Sequence, residues 1–141
     1  MGDCGFAAGP YSVQHHLKRF TGTWKVQSVT VNGRELPRAE RSQNDQVVYD
    51  ADGGWEQRSE GRTIYQGVVT ALDTGARYRA IDFKVVKGGT DAGKTVRAIY
   101  EFVDEDTYRV CYKGPGGERP ADFSSKEGSG DTVCVLKRQK N

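Results

Sequence analysis

The sequence predicts an all-β protein: a single up-and-down antiparallel β-barrel of about eight strands, with a short N-terminal helix closing one end. Three observations carry that expectation. From Thr23 onward, apolar residues recur at every second position in segments rich in β-branched and aromatic side chains. Turn-forming residues separate these segments at regular intervals. Most of the connections are short enough for hairpins, which favours a meander over a Greek key. Closing such a sheet on itself also removes the exposed edges that invite aggregation.

The elements follow in order. Ser12 is placed to cap a helix over residues 13–20, where Val13, Leu17 and Phe20 recur at i, i+4 and i+7, and Gly22 stops it. A helix this short needs an apolar surface to pack on. Residues 23–31 form the first strand and end at Asn32-Gly33, a turn dipeptide. Residues 34–45 are polar and read as a loop. Strands are then expected at 46–49, 55–59, 63–72 and 77–86, divided by turns at 50–54, 60–62 and 73–75. A Gly-rich loop covers 87–94. Strands 95–103 and 107–113 flank Asp104-Glu105-Asp106, and a Gly/Pro/Ser-rich stretch, 114–130, precedes the last strand, 132–140.

Composition bounds the function. A chain of 141 residues is one domain; residues 1–10 read as a flexible tail and 11–141 as the barrel domain. With 35% hydrophobic and 28% charged residues it has the balance of a soluble globular protein, and no run approaches the ~20 apolar residues of a membrane helix. Met1–Pro10 carries no basic-then-apolar secretory signal, so a cytoplasmic location is the default expectation. The net charge of +2 is spread over both signs, short of the concentrated basic field of a nucleic-acid binder. Of three cysteines, Cys4 lies in the tail while Cys111 and Cys134 lie in strands. That count and spacing make neither a disulfide framework nor a zinc site. Buried free thiols are expected, since free cysteine is among the most buried residue types; the alternative is a Cys111–Cys134 bridge, which needs neighbouring strands with facing Cβ atoms. No cofactor or metal is implied, and the oligomeric expectation is a monomer or homodimer.

Gly22-Thr23-Trp24, following a short helix at the start of the first strand, resembles the G-x-W signature of lipocalins and fatty-acid-binding proteins, the calycins. The resemblance implies that Trp24 plugs the closed end, with Arg138 across its indole as a cation–π partner. More closely, the chain is similar to a family of bacterial lipocalin-like domains first catalogued in planctomycetes and still uncharacterised. The matching pieces are Leu17–Val26, Ala80-Ile81-Asp82, Gly93-Lys94-Thr95 with Ile99-Tyr100, and Arg119–Ser125 with Gly128-Ser129-Gly130. That family implies a fold and no particular activity.

Two motifs carry little chemistry. Residues 88–95 spell the phosphate-loop pattern G-x-x-x-x-G-K-[ST], but such a loop works at the N-terminus of a helix after a buried parallel strand. Here the alternating stretch Val96–Phe102 follows, so the segment reads as a hairpin loop. His15 and His16, the only histidines, are adjacent on a helix and point apart, so they cannot chelate one ion together. No nucleophile elbow or Ser–His–Asp arrangement is present.

The strands offer a better lead. Tyr65, Tyr78, Tyr100, Tyr108 and Tyr112 can supply walls and hydroxyls to a lumen, and Arg79, Arg97 or Arg109 an anchor for an anion. Arg119-Pro120-Ala121-Asp122-Phe123 reads as a strap across one barrel end, or as a lid whose Arg119 meets a ligand. Asp82 sits mid-strand between Ile81 and Phe83 and requires a partner there. The candidate ligand-binding residues are therefore Tyr65, Tyr78, Arg79, Tyr100, Arg109, Tyr112 and Arg119. The reading these favour is a small-molecule-binding barrel holding a hydrophobic or amphipathic ligand, anionic where an arginine faces it. The alternatives are an isomerase, cyclase or hydratase using Asp82, Tyr100 and Arg109 for proton transfer and charge stabilisation, and an interaction module whose lumen is filled by its own aromatics.

Overall fold

A computed structural model describes residues 17–37, 45–73 and 79–139. Alternation becomes nine strands: β1 (Gly22–Val31), β2 (Arg34–Glu35), β3 (Asp45–Tyr49), β4 (Gly54–Ser59), β5 (Arg62–Asp73), β6 (Arg79–Lys87), β7 (Thr95–Asp104), β8 (Thr107–Tyr112) and β9 (Thr132–Arg138). Each long strand pairs antiparallel with its neighbour in sequence, and β9 returns to pair with β1 from Trp24↔Arg138 to Val31↔Thr132. Eight strands thus close an up-and-down barrel, as the sequence predicts. The ninth, β2, is a two-residue spur on the end of β1. It lies inside the stretch expected to be loop, because Asn32 (φ 51) and Gly33 (φ 82) make the left-handed hairpin turn that folds the chain straight back.

Inward and outward faces follow the pleat. Ile81, Phe83 and Val85 of β6, Val96, Ala98 and Tyr100 of β7, and Tyr108 and Val110 of β8 are buried in one core inside the barrel. The opposite face of the same strands carries a second cluster, Ile99, Cys111 and Val133, with Phe123 packed on it from the 113–131 connection. The two strand cysteines belong to different faces: Val110 pairs with Cys134 while Cys111 pairs with Val133. Both are buried and in no disulfide, and the wall of the barrel stands between them. Tight curvature is concentrated at Gly67 on β5, where the register slips and a Cβ would lie 2.0 Å from the Lys84 carbonyl oxygen on β6.

One end is shut by the helix terminus, residues 17–20, and the start of β1. Trp24 is completely buried and its indole N–H donates to the Phe20 carbonyl at 2.7 Å. The Phe20 ring meets Tyr49, Tyr100, Phe102 and Tyr108 at centroid distances of 5.0–5.3 Å. Arg138 closes the assembly from the last strand, with its guanidinium carbon 4.2 Å from the Trp24 ring centre. It also donates to the Thr21 and Arg19 carbonyls, at 2.7 and 2.8 Å, and to the Asp106 carboxylate at 3.0 Å. The orphan carbonyls at the helix end are thereby satisfied by a strand at the other end of the chain. Gly22 has φ 126, and a Cβ there would stand 3.2 Å from Arg138 Nη1, so both conformation and space call for glycine.

Arg138→Ala is expected to lower the unfolding free energy by about 2–4 kcal/mol, through the lost cation–π contact and the unsatisfied carbonyls. Arg138→Lys should recover less than half of that, because an ammonium cannot stack flat and fork between three acceptors. Urea denaturation followed at the buried Trp24 checks both.

Candidate functional site

Above the aromatic plug the lumen is not filled. A cavity of about 230 Å³ remains, lined by fifteen residues, none of which bears a formal charge at neutral pH. The strand register orders its walls. Nearest the plug, Tyr49 and Tyr108 share a buried hydrogen bond between their hydroxyls at 2.9 Å. Tyr49 lies opposite Trp55 on β4, whose indole packs on Phe83 at 5.2 Å. Further out, Gln57 sits between Val47 on β3 and Tyr65 on β5. Tyr112 and Pro115 complete the lining towards the far end.

The rim is pinned by Tyr65, whose hydroxyl donates to the Asp91 carboxylate at 2.9 Å. Asp91 ends the short 3-10 turn Gly89–Asp91 of the β6–β7 loop, and a Cβ on Gly88 would lie 2.2 Å from the Tyr65 ring. The segment with phosphate-loop spelling is therefore a hairpin connection between antiparallel strands, one whose glycine lets a tyrosine lie flat on it. No helix follows it to offer free amides to a phosphate.

The structure sorts the sequence candidates by face. Tyr65 and Tyr112 line the cavity. Tyr100 is inside the barrel, but its ring packs against Phe20 at 5.0 Å, away from the cavity lining. Tyr78 lies outside the described residues, as do Cys4, His15 and His16. Arg79 shares the inward row of β6 with Ile81 and stands opposite Tyr100, but it is exposed and does not line the cavity. Arg109, between the inward Tyr108 and Val110, projects from the outer wall. There it pairs with Glu101 at 3.0 Å and covers the Phe123 ring at 4.0 Å. Arg97 is likewise exposed and reaches the Gly117 carbonyl.

Asp82 does find its arginine, but outside the barrel. Arg119 Nη1 stands 2.7 Å from Asp82 Oδ1 and donates to the Ala98 carbonyl at 2.9 Å. Residues 119–123 are accordingly a strap along the outer wall, neither across a barrel end nor over the cavity. Two expectations are corrected by these placements. No arginine among the described residues stands in the cavity to anchor an anion, and Asp82 and Arg109 are separated from Tyr100 by the thickness of the sheet. Charged residues alternate with inward apolar ones, and exclusion of unpaired charge from an apolar lumen decides which row faces out.

The lining residues that sequence reasoning passed over are Trp55, Gln57, Phe83 and Tyr49. The signal was present on β4. Glu56 and Arg58 pair with each other at 2.8 Å on the outer face, which forces Trp55 and Gln57 inward.

Chemically the cavity is an apolar, aromatic container with a few hydroxyls. Among the described residues no cluster of His, Cys, Asp or Glu could hold a metal ion, and no helix is long and apolar enough to cross a membrane. Burial holds the Tyr49 and Tyr108 hydroxyls well above the ordinary tyrosine value. The neighbouring Cys134 and burial do the same for Tyr112. On the outer face, burial pushes the Cys111 thiol up to about 12.

Because these folded values are raised, the unfolded chain releases its protons first. The stability they provide is complete below about pH 9 and drains as pH rises past the ordinary Cys and Tyr values of 9.0 and 10.0. Each such group adds up to about 1.4 kcal/mol per pH unit to that loss. In an alkaline titration at 295 nm, Tyr49, Tyr108 and Tyr112 should ionise together with loss of the barrel's circular dichroism. Full phenolate absorbance with the fold intact would contradict their burial.

Among solved structures the fold is similar to a de novo designed fluorescence-activating β-barrel, with a TM-score of 0.47 and 12% sequence identity over 87% of this chain and 96% of that one. No protein-family model matches the chain, and no curated protein matches it significantly in sequence.

Proposed function

We propose that this protein is a lipocalin-like small-molecule-binding barrel that holds a neutral, largely aromatic ligand in its lumen. The observation that carries the reading is the cavity of about 230 Å³, whose lining is aromatic and aliphatic and without charge. A dry apolar cavity of about 150 Å³ takes up benzene. The volume here therefore suits a ligand of one or two fused rings. A carboxylate would be desolvated there without a cation to meet it, which favours uncharged ligands. Tyr65 and Tyr112 act as walls in this reading, joined by Trp55 and Phe83.

Kinship with the bacterial lipocalin-like domains is part of the proposal. It is supported by the work that Gly22, Trp24 and Arg138 do together at the closed end, and by the outer-wall strap that begins at Arg119-Pro120.

Naphthalene is expected to bind with a change in tryptophan emission that Trp55→Phe abolishes. Val47→Trp, which fills the lumen from β3, should weaken binding at least tenfold while the far-UV spectrum is retained. Titration calorimetry that finds no heat with naphthalene, indole or any similar neutral bicycle would overturn the reading. In the same assay Asp82→Asn and Arg109→Ala should leave affinity within about twofold, with a stability loss of order 1 kcal/mol from the outer ion pairs.

A further inference from the structure

The cavity holds one amide side chain that the fold does not use. Gln57 projects into the lumen from β4, in the row of Val47 and Tyr65 and one row further from the plug than Trp55. Its residue is half-buried. The tyrosine hydroxyls around the cavity are engaged: Tyr65 with Asp91, Tyr49 with Tyr108, and Tyr112 with Cys134 Sγ at 3.9 Å. The Gln57 carboxamide has no side-chain hydrogen bond to any described residue. It is the single amide side chain among the fifteen lining residues.

A half-buried carboxamide on a strand held on both sides by paired neighbours is fixed in position yet keeps two donors and an acceptor to offer. Placed among Tyr65, Val47 and Trp55, those groups face whatever fills the lumen. We infer that Gln57 selects the ligand's polar substituent. The site takes a neutral fused-ring aromatic carrying one hydroxyl, lactam or ring N–H group, with its rings against Trp55 and Phe83 and its polar group towards Gln57. This inference rests on the reading of the lumen as a ligand cavity and adds the chemistry of the ligand to it. A carboxylate of the same size is excluded, since Gln57 supplies no charge and no lining residue supplies a cation.

The test is titration calorimetry of the full chain with naphthalene, 2-naphthol and 2-naphthoate, repeated with Gln57→Leu and Gln57→Met. The second variant keeps the length of the side chain in case the first perturbs the fold. The wild-type protein is expected to bind 2-naphthol about five- to tenfold tighter than naphthalene, the worth of one neutral hydrogen bond. It should bind 2-naphthoate weaker than either. Both variants should bring the naphthol-to-naphthalene ratio to about one while keeping naphthalene affinity within about twofold. If naphthalene binds and the variants keep the preference for 2-naphthol, Gln57 is not the selector and the cavity reading stands without it. If 2-naphthoate binds tightest, this inference and the neutrality of the ligand both fail, and only the lumen as a binding cavity stands. If none of the three binds, the cavity reading itself fails, and this inference with it.

Discussion

The guanidinium of Arg138 lies on the Trp24 indole and, in the same plane, reaches carbonyls of the helix terminus and the Asp106 carboxylate. This contact joins the first strand to the last, the one pairing in an up-and-down barrel that is distant in sequence. All other pairs join barrel strands that follow one another in the chain, with far shorter loops to close. The β1–β9 seam is the costly one, and the Trp24–Arg138 clasp sits at its end. From it the Phe20 ring is held against four other aromatics, and the lumen is sealed on that side. The cavity exists because the plug is complete at one end and the remaining side chains do not meet across the middle.

Charge is handled on the other side of the wall. Arg119 with Asp82, Arg109 with Glu101, Arg58 with Glu56 and Lys113 with Asp131 form pairs at 2.7–3.0 Å on partly solvated surfaces. Such pairs contribute little each. Their larger consequence is geometric. The strap from Arg119 to Phe123 covers Ile99, Cys111 and Val133, giving the barrel wall apolar contacts on both faces between β7 and β9. The wall is stiffened from outside, so the inside need not be packed solid to be stable.

Much of this was legible in the residues. Period-two alternation located all eight barrel strands, and G-x-W with a late arginine located the plug, because both depend on local pattern. What escaped was orientation. Arg109 and Asp82 were candidates for the lumen because alternation divides a strand into two faces without saying which is inside. The answer lies in the neighbours: Tyr108 and Val110, or Ile81 and Phe83, are too apolar to be the solvent row. The strap escaped for a different reason. Residues 113–131 are rich in Gly, Pro and Ser and have no periodicity, so nothing local records that Phe123 returns to the Cys111 cluster. The inward Trp55 and Gln57 were readable from the Glu56–Arg58 alternation, although β4 is only six residues long.

The account stands on the lumen being an unfilled, apolar cavity above the plug. Diffraction from crystals pressurised with xenon tests that most directly, since xenon enters dry apolar voids and leaves packed cores alone. Xenon should appear inside the barrel beside Trp55, Val85 and Cys134, without displacement of the Tyr49–Tyr108 hydrogen bond. A barrel with no xenon in it, its aromatic side chains meeting across the lumen, would contradict the account.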